Sequence, residues 1–435
     1  MQYNFTEKMN FDTPIIADKS SSYFKKGEKP FFWLGDTAWL LFQNLSDEEA
    51  YIYLKNRADK GYNVIQAVLA FVTGDMPEKS KKSARRFDMN EEIYWEHCDK
   101  IIQMAEELGM YMGLLPCWGT LVSSGIVNME NVEQYADFLI KRYGQYKNII
   151  WILGGDIKAD DHKEIYNFLG NKLKQANPDR LIGYHPFGRC SSSLWFNDAE
   201  WLDFHMFQSG HRRYDQCCMG AWDDTSNCMS MFGEDNWKYV NYDKAASSRP
   251  TLDGEPSYEW IVQGLHDATQ PYWVAKDVRR YAYWSVFAGS AGHTYGDNAI
   301  FMFFDGSEES VIFGVKEHWK AAVHHAGSGQ MRYLKELMES VDYPSGRQAD
   351  ELVIGGQRER HERIAVFAGK EFLFAYTFLG KDFELDVKDY QGKDIWFLRP
   401  ATGTYSYYGK VTEDVFAYHE IPSFNEDADM VVVIK

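Results

Sequence analysis

The sequence predicts an α/β protein: a (β/α)8 TIM barrel followed by a smaller C-terminal all-β domain of the sandwich type. From about residue 30 to residue 340, eight short apolar runs alternate with longer stretches of helical spacing. From about residue 341, short alternating runs punctuated by Gly, Pro and Asp replace that pattern. Strands that alternate with helices are parallel strands joined by crossovers, so eight repeats favour a closed barrel. The predicted domains are therefore residues 1–340 and 341–435.

The eight candidate strands are residues 31–36, 62–70, 111–117, 148–156, 180–186, 201–208, 250–255 and 290–296. Between the first two, a helix begins with a Ser46 to Glu49 capping-box pattern and ends at Gly61. The next helix ends at Gly109. An open, doubly wound sheet is the alternative architecture. However, no G-x-G-x-x-G follows the first strand and no G-x-x-x-x-G-K-[ST] occurs, so nucleotide binding loses its main support.

Charge and composition exclude several classes of partner. The chain has 46 Lys and Arg against 64 Asp and Glu, a formal charge of -18. Its basic runs are no longer than those at 79–86, so we expect neither nucleic acid nor an anionic membrane as partner. The N-terminus lacks the pattern of a secretory signal, and the six cysteines have no C-x-x-C spacing. These features predict a cytoplasmic protein. A longer natural chain with a signal peptide would instead be secreted.

Polar or aromatic side chains stand at the end of every predicted barrel strand. In barrels of this kind, the active site lies at the carboxyl ends of the strands. One such residue alone is often structural, as a helix cap or a buried histidine, but eight polar or aromatic ends out of eight indicate a binding site. The residues are Asp36, Gln66, Trp118, Asp156, His185, His205 with Gln208, Glu255, and His293 with Tyr295.

Two carboxylates differ from the rest in their context. Asp156 follows a strongly apolar strand through two glycines, and Glu255 lies between Gly254 and Pro256. They belong to the fourth and seventh strands, which lie across the barrel mouth from each other. Glycoside cleavage needs such a pair, with one group protonating the departing oxygen while the other attacks the anomeric carbon or activates water. A separation of about 5 to 5.5 Å selects retention of configuration.

Other chemistries have weaker support in the sequence. A metal-dependent hydrolase is the main enzymatic alternative, but no H-x-H ends the first strand and no H-E-x-x-H occurs. The serines at 191–193 do not form a G-x-S-x-G elbow. Cys217, Cys218 and Cys228 fit the packing of a lid better than redox chemistry. Trp39 fits either packing or sugar binding, and Trp33, Trp151 and Trp201 fit packing inside strands.

Taken together and in order, eight motifs resemble the apiosidase-like glycoside hydrolases, family 140, over roughly residues 10 to 340. The motifs are FFWLGDTAWLLF, GYNVIQAVLA, LLPCWG, NIIWILGGD, YHPFG, FHMFQSGH, LDGEPSYE and RRYAYWSVFAGSAGHTYG. The resemblance implies a barrel catalytic domain with Asp156 as acid/base and Glu255 as nucleophile, the same pair that the strand ends select. The tail from about 341 looks like the small β-domain, sometimes labelled collagen-binding, that follows this catalytic domain.

The resemblance also implies a substrate: an apiosyl linkage to galacturonic acid in the pectin rhamnogalacturonan II. Such a polyacid requires a local basic patch on this acidic protein, which Arg189, His211, Arg212 and Arg213 can supply. No cofactor or metal is expected, and the expected partner is an oligosaccharide or polysaccharide. A glycosidase on another glycoside and a non-catalytic carbohydrate-binding barrel remain the alternatives. The predicted substrate-binding residues are Asp36, Gln66, Trp118, His185, His205, Gln208, His211, Tyr258, His293 and Tyr295.

Overall fold

The computed structural model describes residues 9–71, 88–216, 229–307, 311–420 and 427–435. Three of the predicted features, Cys217, Cys218 and Cys228, lie outside these ranges, as do the basic runs at 79–86. The three described cysteines, Cys98, Cys117 and Cys190, are buried. No helix in the described ranges is both long and apolar enough to cross a bilayer.

All eight predicted barrel strands are present and parallel. They are β4 (Trp33–Thr37), β5 (Val64–Val68), β6 (Tyr111–Leu115), β7 (Ile149–Ile157), β8 (Ile182–Pro186), β10 (His205–Gln208), β11 (Thr251–Asp253) and β12 (Gly292–Tyr295). Six of them form one continuous ladder in the order β12-β4-β5-β6-β7-β8. The pair β10–β11 completes the barrel, because backbone hydrogen bonds link Asp203 to Ile182 on one side (2.8 Å) and Ala291 to Thr251 on the other (2.9 Å). A short strand, β9 (Cys190–Ser191), pairs with β10 in the antiparallel sense.

Helices surround the barrel, and the capping residues predicted from the sequence mark the limits of two of them. Ser46 and Glu49 form the reciprocal capping box of the helix Asp47–Asp59, and Gly61 follows its end with φ 85°. Gly109 ends the next long helix in the same way, with φ 78°. The helices are α1 (Leu41–Asn44), α2 (Asp47–Asp59), α3 (Glu92–Glu107), α4 (Gly119–Ser123), α5 (Val132–Tyr143), α6 (Lys163–Ala176), α7 (Ser193–Phe196), α8 (Asn236–Ala246), α9 (Ala275–Phe287), α10 (Trp319–Ala322) and α11 (Ala326–Glu339).

A three-stranded antiparallel sheet closes the amino-terminal end of the barrel. Its strands are β1 (Ile15–Asp18), β2 (Tyr23–Lys26) and β3 (Lys29–Phe31). Phe24 of β2 packs against Trp33 at the start of β4 and against Phe204 just before β10. These contacts cover the amino-terminal end of the barrel at β4 and β10. Trp33, Trp151 and Trp201 are almost completely buried, as predicted for packing residues.

The C-terminal domain is a sandwich of two antiparallel sheets. The larger has the order β13-β15-β16-β21-β18-β19, and the smaller has the order β14-β17-β20. A separate apolar core, which includes Val366, Leu385 and Val432, lies between them. The strands are β13 (Arg347–Gln348), β14 (Val353–Gly355), β15 (Ile364–Ala368), β16 (Leu373–Thr377), β17 (Phe383–Asp386), β18 (Asp394–Arg399), β19 (Thr404–Lys410), β20 (Val415–Tyr418) and β21 (Met430–Ile434).

The larger sheet packs its outer face against helix α9 of the barrel. Tyr283 of the helix stacks on Tyr376 of the sheet with ring centroids 4.6 Å apart. Beside them, Arg279 is fully buried and pairs with Asp429 at 2.8 Å. Aromatic stacking and a buried ion pair across one face hold the two domains together.

Candidate active site

A cavity of about 460 Å³ opens at the carboxyl ends of the barrel strands. Its wall combines two carboxylates, a few nitrogen-bearing side chains and a large aromatic and aliphatic surface. The lining residues are Trp39, Phe71, Trp118, Thr120, Asp156, Phe187, Gly188, Gln208, Gly210, His211, Arg212, Glu255, Tyr258, Ile261, Leu265, Phe301, Ile312 and Phe313. A pocket of this size, mostly apolar with a few convergent polar groups, is typical of a small-molecule or oligosaccharide site.

The two glycines before Asp156 let β7 turn sharply into this cavity. Gly154 and Gly155 have φ of 93° and 101°. A Cβ at Gly154 would lie 2.2 Å from the carbonyl oxygen of His185, and one at Gly155 would lie 2.6 Å from the Trp118 ring. Asp156 itself has φ 50°, a region that non-glycine residues rarely occupy. Strain of this kind persists where the surroundings impose it, commonly at functional sites.

Glu255 is held from several sides at the end of β11. The backbone N–H of Gly254 donates to the carbonyl of Phe207 at 2.8 Å, and the Gln66 side-chain amide donates to the carbonyl of Gly254 at 3.0 Å. His211 Nε2 lies 3.1 Å from Oε1 of Glu255, and His185 Nε2 lies 3.2 Å from Oε2. Each oxygen of the carboxylate thus faces one imidazole.

Asp156 and Glu255 face each other across the cavity. One carboxylate oxygen from each, together with one nitrogen of His185, all lie within 4.8 Å of one another. The Glu255 side chain is almost completely buried, whereas Asp156 remains accessible from the cavity. Two carboxyl groups so close can act on a single bond.

The environment drives the pKa values of the two carboxyl groups apart. Because Asp156 lies within the cavity with protein around it, partial loss of hydration raises its pKa to about 7, and the neighbouring Glu255 carboxylate adds to the increase. Burial alone would also raise the pKa of Glu255, but the imidazoles of His185 and His211 lower it below its usual value. At neutral pH, Glu255 is therefore ionised while Asp156 retains a proton in a large fraction of molecules. A pair with separated pKa values has the properties of an acid and a nucleophile or base.

Aromatic rings form the wall beside these carboxylates. Trp39 and Trp118 pack with ring centroids 5.3 Å apart, and the Trp39 indole N–H donates to the Tyr258 hydroxyl at 3.0 Å. Tyr258 in turn packs edge-on against His211 at 4.6 Å. Such rings offer flat faces for the C–H side of a sugar and polar edges for its hydroxyls.

The structure brings most of the predicted site residues together. Trp118, Gln208, His211 and Tyr258 line the cavity with the two carboxylates. His185 is fully buried behind Glu255, and Gln66 is fully buried beneath Gly254. Of the four basic residues suggested as a patch, His211 and Arg212 line the cavity, whereas Arg189 and Arg213 do not.

Three predicted residues at strand ends do not line the cavity, because they lie on the outer face of the barrel wall. Asp36 pairs with Arg57 and accepts a hydrogen bond from Tyr53, both on α2. Tyr295, its register partner on β12, donates to Glu259 at 2.6 Å. His293 is two residues before Tyr295 and so shares its face. Burial there lowers the pKa of His293 to about 3.

His205 does not line the cavity either, because it lies at the other end of its strand. Strand β10 begins at His205 and ends at Gln208, so His205 is at the amino-terminal end. Its ring nitrogens lie 3.0 Å from the Ser192 hydroxyl and 2.8 Å from the Ser247 hydroxyl. These contacts make it a buried structural histidine.

Asp36 should therefore matter for stability and not for activity. We expect Asp36→Asn to lower the free energy of unfolding by about 3 to 5 kcal/mol, because it leaves Arg57 as a buried charge without its partner. Denaturant unfolding measures this loss. The control Asp59→Asn removes only an exposed pair with Lys55 and should change little. Loss of activity in folded Asp36→Asn protein at unchanged stability would contradict this role.

Several lining residues were not identified from the sequence. Phe71, Phe187, Leu265, Phe301 and Phe313 come from loops beyond the strand ends. Leu265 and Phe313 have positive φ, 75° and 50°. Aromatic residues just after predicted strands, as in "YHPF" and "VLAF", were an available signal for Phe187 and Phe71. The longer loops carried no such signal.

Asp156, His185 and Glu255 also form the one group in the described ranges with the donor types and closeness that a divalent cation needs. The expectation that the reaction requires no metal stays a prediction. In a two-carboxylate site, Asp156 and Glu255 are the reacting groups, and His185 contacts Glu255.

Two family models match the chain, one for each domain. Residues 18–345 match the family model described as the apiosidase-like catalytic domain. Residues 349–435 match the model described as the putative collagen-binding domain of a collagenase. Among curated proteins, no sequence matches the chain.

Solved structures resemble the chain over nearly its whole length. One, named only as a glycoside hydrolase, is 35% identical, with 97% of each chain covered and a TM-score of 0.87. A family 5 glycoside hydrolase from Bacteroides vulgatus is also 35% identical, with 97% of this chain and 93% of that chain covered and a TM-score of 0.88. An α-amylase from Geobacillus thermoleovorans shares only the fold, at 8% identity over 93% of this chain and 98% of that one, with a TM-score of 0.55. The chain thus belongs to the apiosidase-like family and is a glycoside hydrolase.

Proposed function

We propose that the protein cleaves an apiosyl linkage in pectin by a retaining mechanism in which Glu255 is the nucleophile and Asp156 the acid/base. The observation that carries the mechanism is the approach of the two carboxylates to within 4.8 Å. Retaining glycosidases place their carboxyl groups about 5 to 5.5 Å apart, whereas inverting enzymes leave room for a water at about 6.5 to 9.5 Å. This closeness favours the retaining arrangement.

In the first step, Glu255 attacks the anomeric carbon while Asp156 donates its proton to the departing oxygen. This forms a covalent glycosyl-enzyme and releases the leaving group with that proton. In the second step, the Asp156 carboxylate takes a proton from water, which attacks the same carbon and frees Glu255. His185 and His211 contact both Glu255 oxygens and keep this carboxylate ionised and oriented.

The substrate proposal is supported by the family and by the charges at the site. The chain carries a net charge of -18, yet His211 and Arg212 line the cavity itself. The Arg212 guanidinium would bind the carboxylate of a galacturonic acid next to the bond that is cleaved. A cavity of about 460 Å³ accommodates a unit of a few sugars.

A second candidate is a glycosidase for another glycoside with an apolar leaving group. One stretch of the wall, formed by Ile261, Leu265, Phe301, Ile312 and Phe313, carries no hydrogen-bonding side chain. Such a surface suits an aryl or alkyl aglycone at least as well as a sugar.

A substrate panel separates these candidates. The purified protein would be incubated with rhamnogalacturonan II fragments and with a matched set of aryl glycosides of apiose, xylose and arabinose. The proposal predicts release of an apiosyl-linked product from the pectin fragments. Turnover of aryl glycosides other than apiosides, with pectin left intact, would favour the second candidate and contradict the first.

The pH dependence of kcat/KM should have two limbs. Catalysis needs ionised Glu255, whose pKa is lowered, so activity is lost only as the pH falls below the ordinary range of a glutamate. It also needs protonated Asp156, so activity falls as the pH rises through about 7. The two apparent pKa values belong to the interacting pair. A basic limb at the ordinary aspartate value, near pH 4, would contradict the assignment of Asp156 as the acid.

A further inference from the structure

The loop that follows β10, residues 209–216, carries His211 to the nucleophile. Its first half is fixed by the barrel. The N–H of Gly210 donates to the carbonyl of Glu255 at 3.0 Å, and the carbonyl of His211 accepts from the N–H of Gly264 at 2.8 Å. The indole N–H of Trp273 donates to the same carbonyl at 3.2 Å.

The second half of the loop is fixed through Tyr214. Its N–H donates to Oε1 of Glu234 at 2.9 Å, and its hydroxyl donates to Asp235 at 2.6 Å. Glu234 is almost completely buried and pairs with Arg280 of α9 at 2.7 Å. A buried carboxylate with several partners fixes its neighbours firmly, provided that every partner stays in place.

One partner of Glu234 comes from the other domain. His361, in the short 3-10 turn Arg360–Glu362, binds Oε2 of Glu234 through Nε2. The ring of His361 lies 5.3 Å from the Tyr214 ring, and the Arg360 guanidinium lies over the same ring at 4.9 Å. Arg360 has φ 50°, so the turn adopts an unfavourable conformation to make these contacts.

We propose that His361 of the C-terminal domain is a positioning residue of the active site: through Glu234 and Tyr214 it holds the loop that sets His211 against Glu255. This inference rests on the proposed function of Glu255. It gives the β-domain a role within the catalytic unit, in addition to any partner that the domain binds.

Loss of the contact between His361 and Glu234 should displace His211. Tyr214 lies three positions after His211, and a displacement of about 1 Å at a catalytic group can cost up to about 10²-fold in rate. Because the first half of the loop keeps its own hydrogen bonds, we expect a smaller loss. The loss should fall mainly on kcat, since His211 contacts the nucleophile.

The experiment compares three variants of the full-length chain. His361→Ala should reduce kcat/KM about tenfold on a glycoside that the wild type hydrolyses. His361→Gln, which keeps an N–H donor near Glu234, should recover most of that loss. Gln330→Ala is the matched control, because Gln330 also crosses the interface, donating to the carbonyl of Ala401 at 3.0 Å, but on α11 and away from the loop.

Hydrogen exchange of the peptide 209–216 is measured on the same proteins. His361→Ala should speed hydrogen exchange at the N–H of Tyr214, because the Glu234 carboxylate that accepts from this N–H loses its contact with His361. Gln330→Ala should leave the exchange rate unchanged. The inference would be overturned if His361→Ala had the activity and exchange rates of the wild type. It would also be overturned if Gln330→Ala lost as much kcat/KM as His361→Ala. If the wild type hydrolyses no glycoside, the proposed function fails and the exchange rates alone decide this inference.

Discussion

Glu255→Gln should lower kcat/KM by about 10⁴-fold or more, the largest effect expected of a single substitution in this protein. An amide of the same shape cannot form the glycosyl ester, so the first chemical step loses its nucleophile. The fold should tolerate the change, because the carboxylate oxygens contact the side chains of His185 and His211 and an amide of the same shape fits between them. Initial rates on the preferred substrate and a thermal unfolding curve measure the two quantities.

Glu259→Gln provides the matched control for this variant. Glu259 is also buried and lies four residues away, but it accepts hydrogen bonds from Tyr295 and Gly327 outside the cavity. We expect this control to affect stability and to leave kcat close to that of the wild type. Activity of Glu255→Gln within tenfold of the wild type would rule out Glu255 as the nucleophile.

Asp156→Asn should lower kcat by about 10² to 10⁴-fold, the usual contribution of general acid–base catalysis. The loss should be smallest for substrates whose leaving group needs no proton, such as dinitrophenyl glycosides. Added azide should then restore turnover, because a small anion can attack the glycosyl-enzyme without a general base. The azide product should have the configuration of the substrate.

Asp160→Asn tests whether removal of any negative charge near the opening of the cavity lowers kcat as Asp156→Asn does. Asp160 lies four residues beyond Asp156 and accepts from the Trp195 indole at 3.0 Å, away from the cavity lining. Its kcat should match that of the wild type. Equal losses in both variants, or an Asp156→Asn enzyme that azide does not rescue on activated substrates, would contradict the acid/base assignment.

The sequence predicted the parts of the fold that local chemistry determines. Alternating periods specified eight parallel strands, the Ser46 to Glu49 box and Gly61 marked the limits of a helix, and the change of pattern after 341 indicated the sandwich. The place of Asp156 and Glu255 in one cavity could also be predicted, because glycines beside a carboxylate at a strand end are a local signal. The structure adds the reason for those glycines: the β7 turn has no room for a Cβ.

The sequence could not show which face of a strand each residue occupies. Strands of a barrel are buried on both faces, so their apolar pattern does not separate the inside from the outside. Asp36 and Tyr295 are correctly placed at the carboxyl ends, yet both point out of the barrel, Asp36 to Arg57 and Tyr295 to Glu259. His205 was misplaced for a different reason: the strand is shorter than its apolar run, so the residue lies at the start of the strand.

Contacts between residues far apart in the sequence could not be predicted either. His361 and Glu234 lie 127 positions apart, and nothing in either neighbourhood specifies their pairing. The apolar wall around Phe301 and Phe313 depends on loop conformations with positive φ that composition does not reveal.

The central claim is that a glycosyl group is transferred to Glu255, and covalent trapping tests it directly. A 2-deoxy-2-fluoro glycoside with a good leaving group slows the second step more than the first, so the intermediate accumulates. Mass spectrometry of the digested protein should then find the fluorosugar on the peptide that contains Glu255, at one equivalent per chain. A fully inactivated enzyme with the label on another residue, or product of inverted configuration with no adduct, would contradict the account.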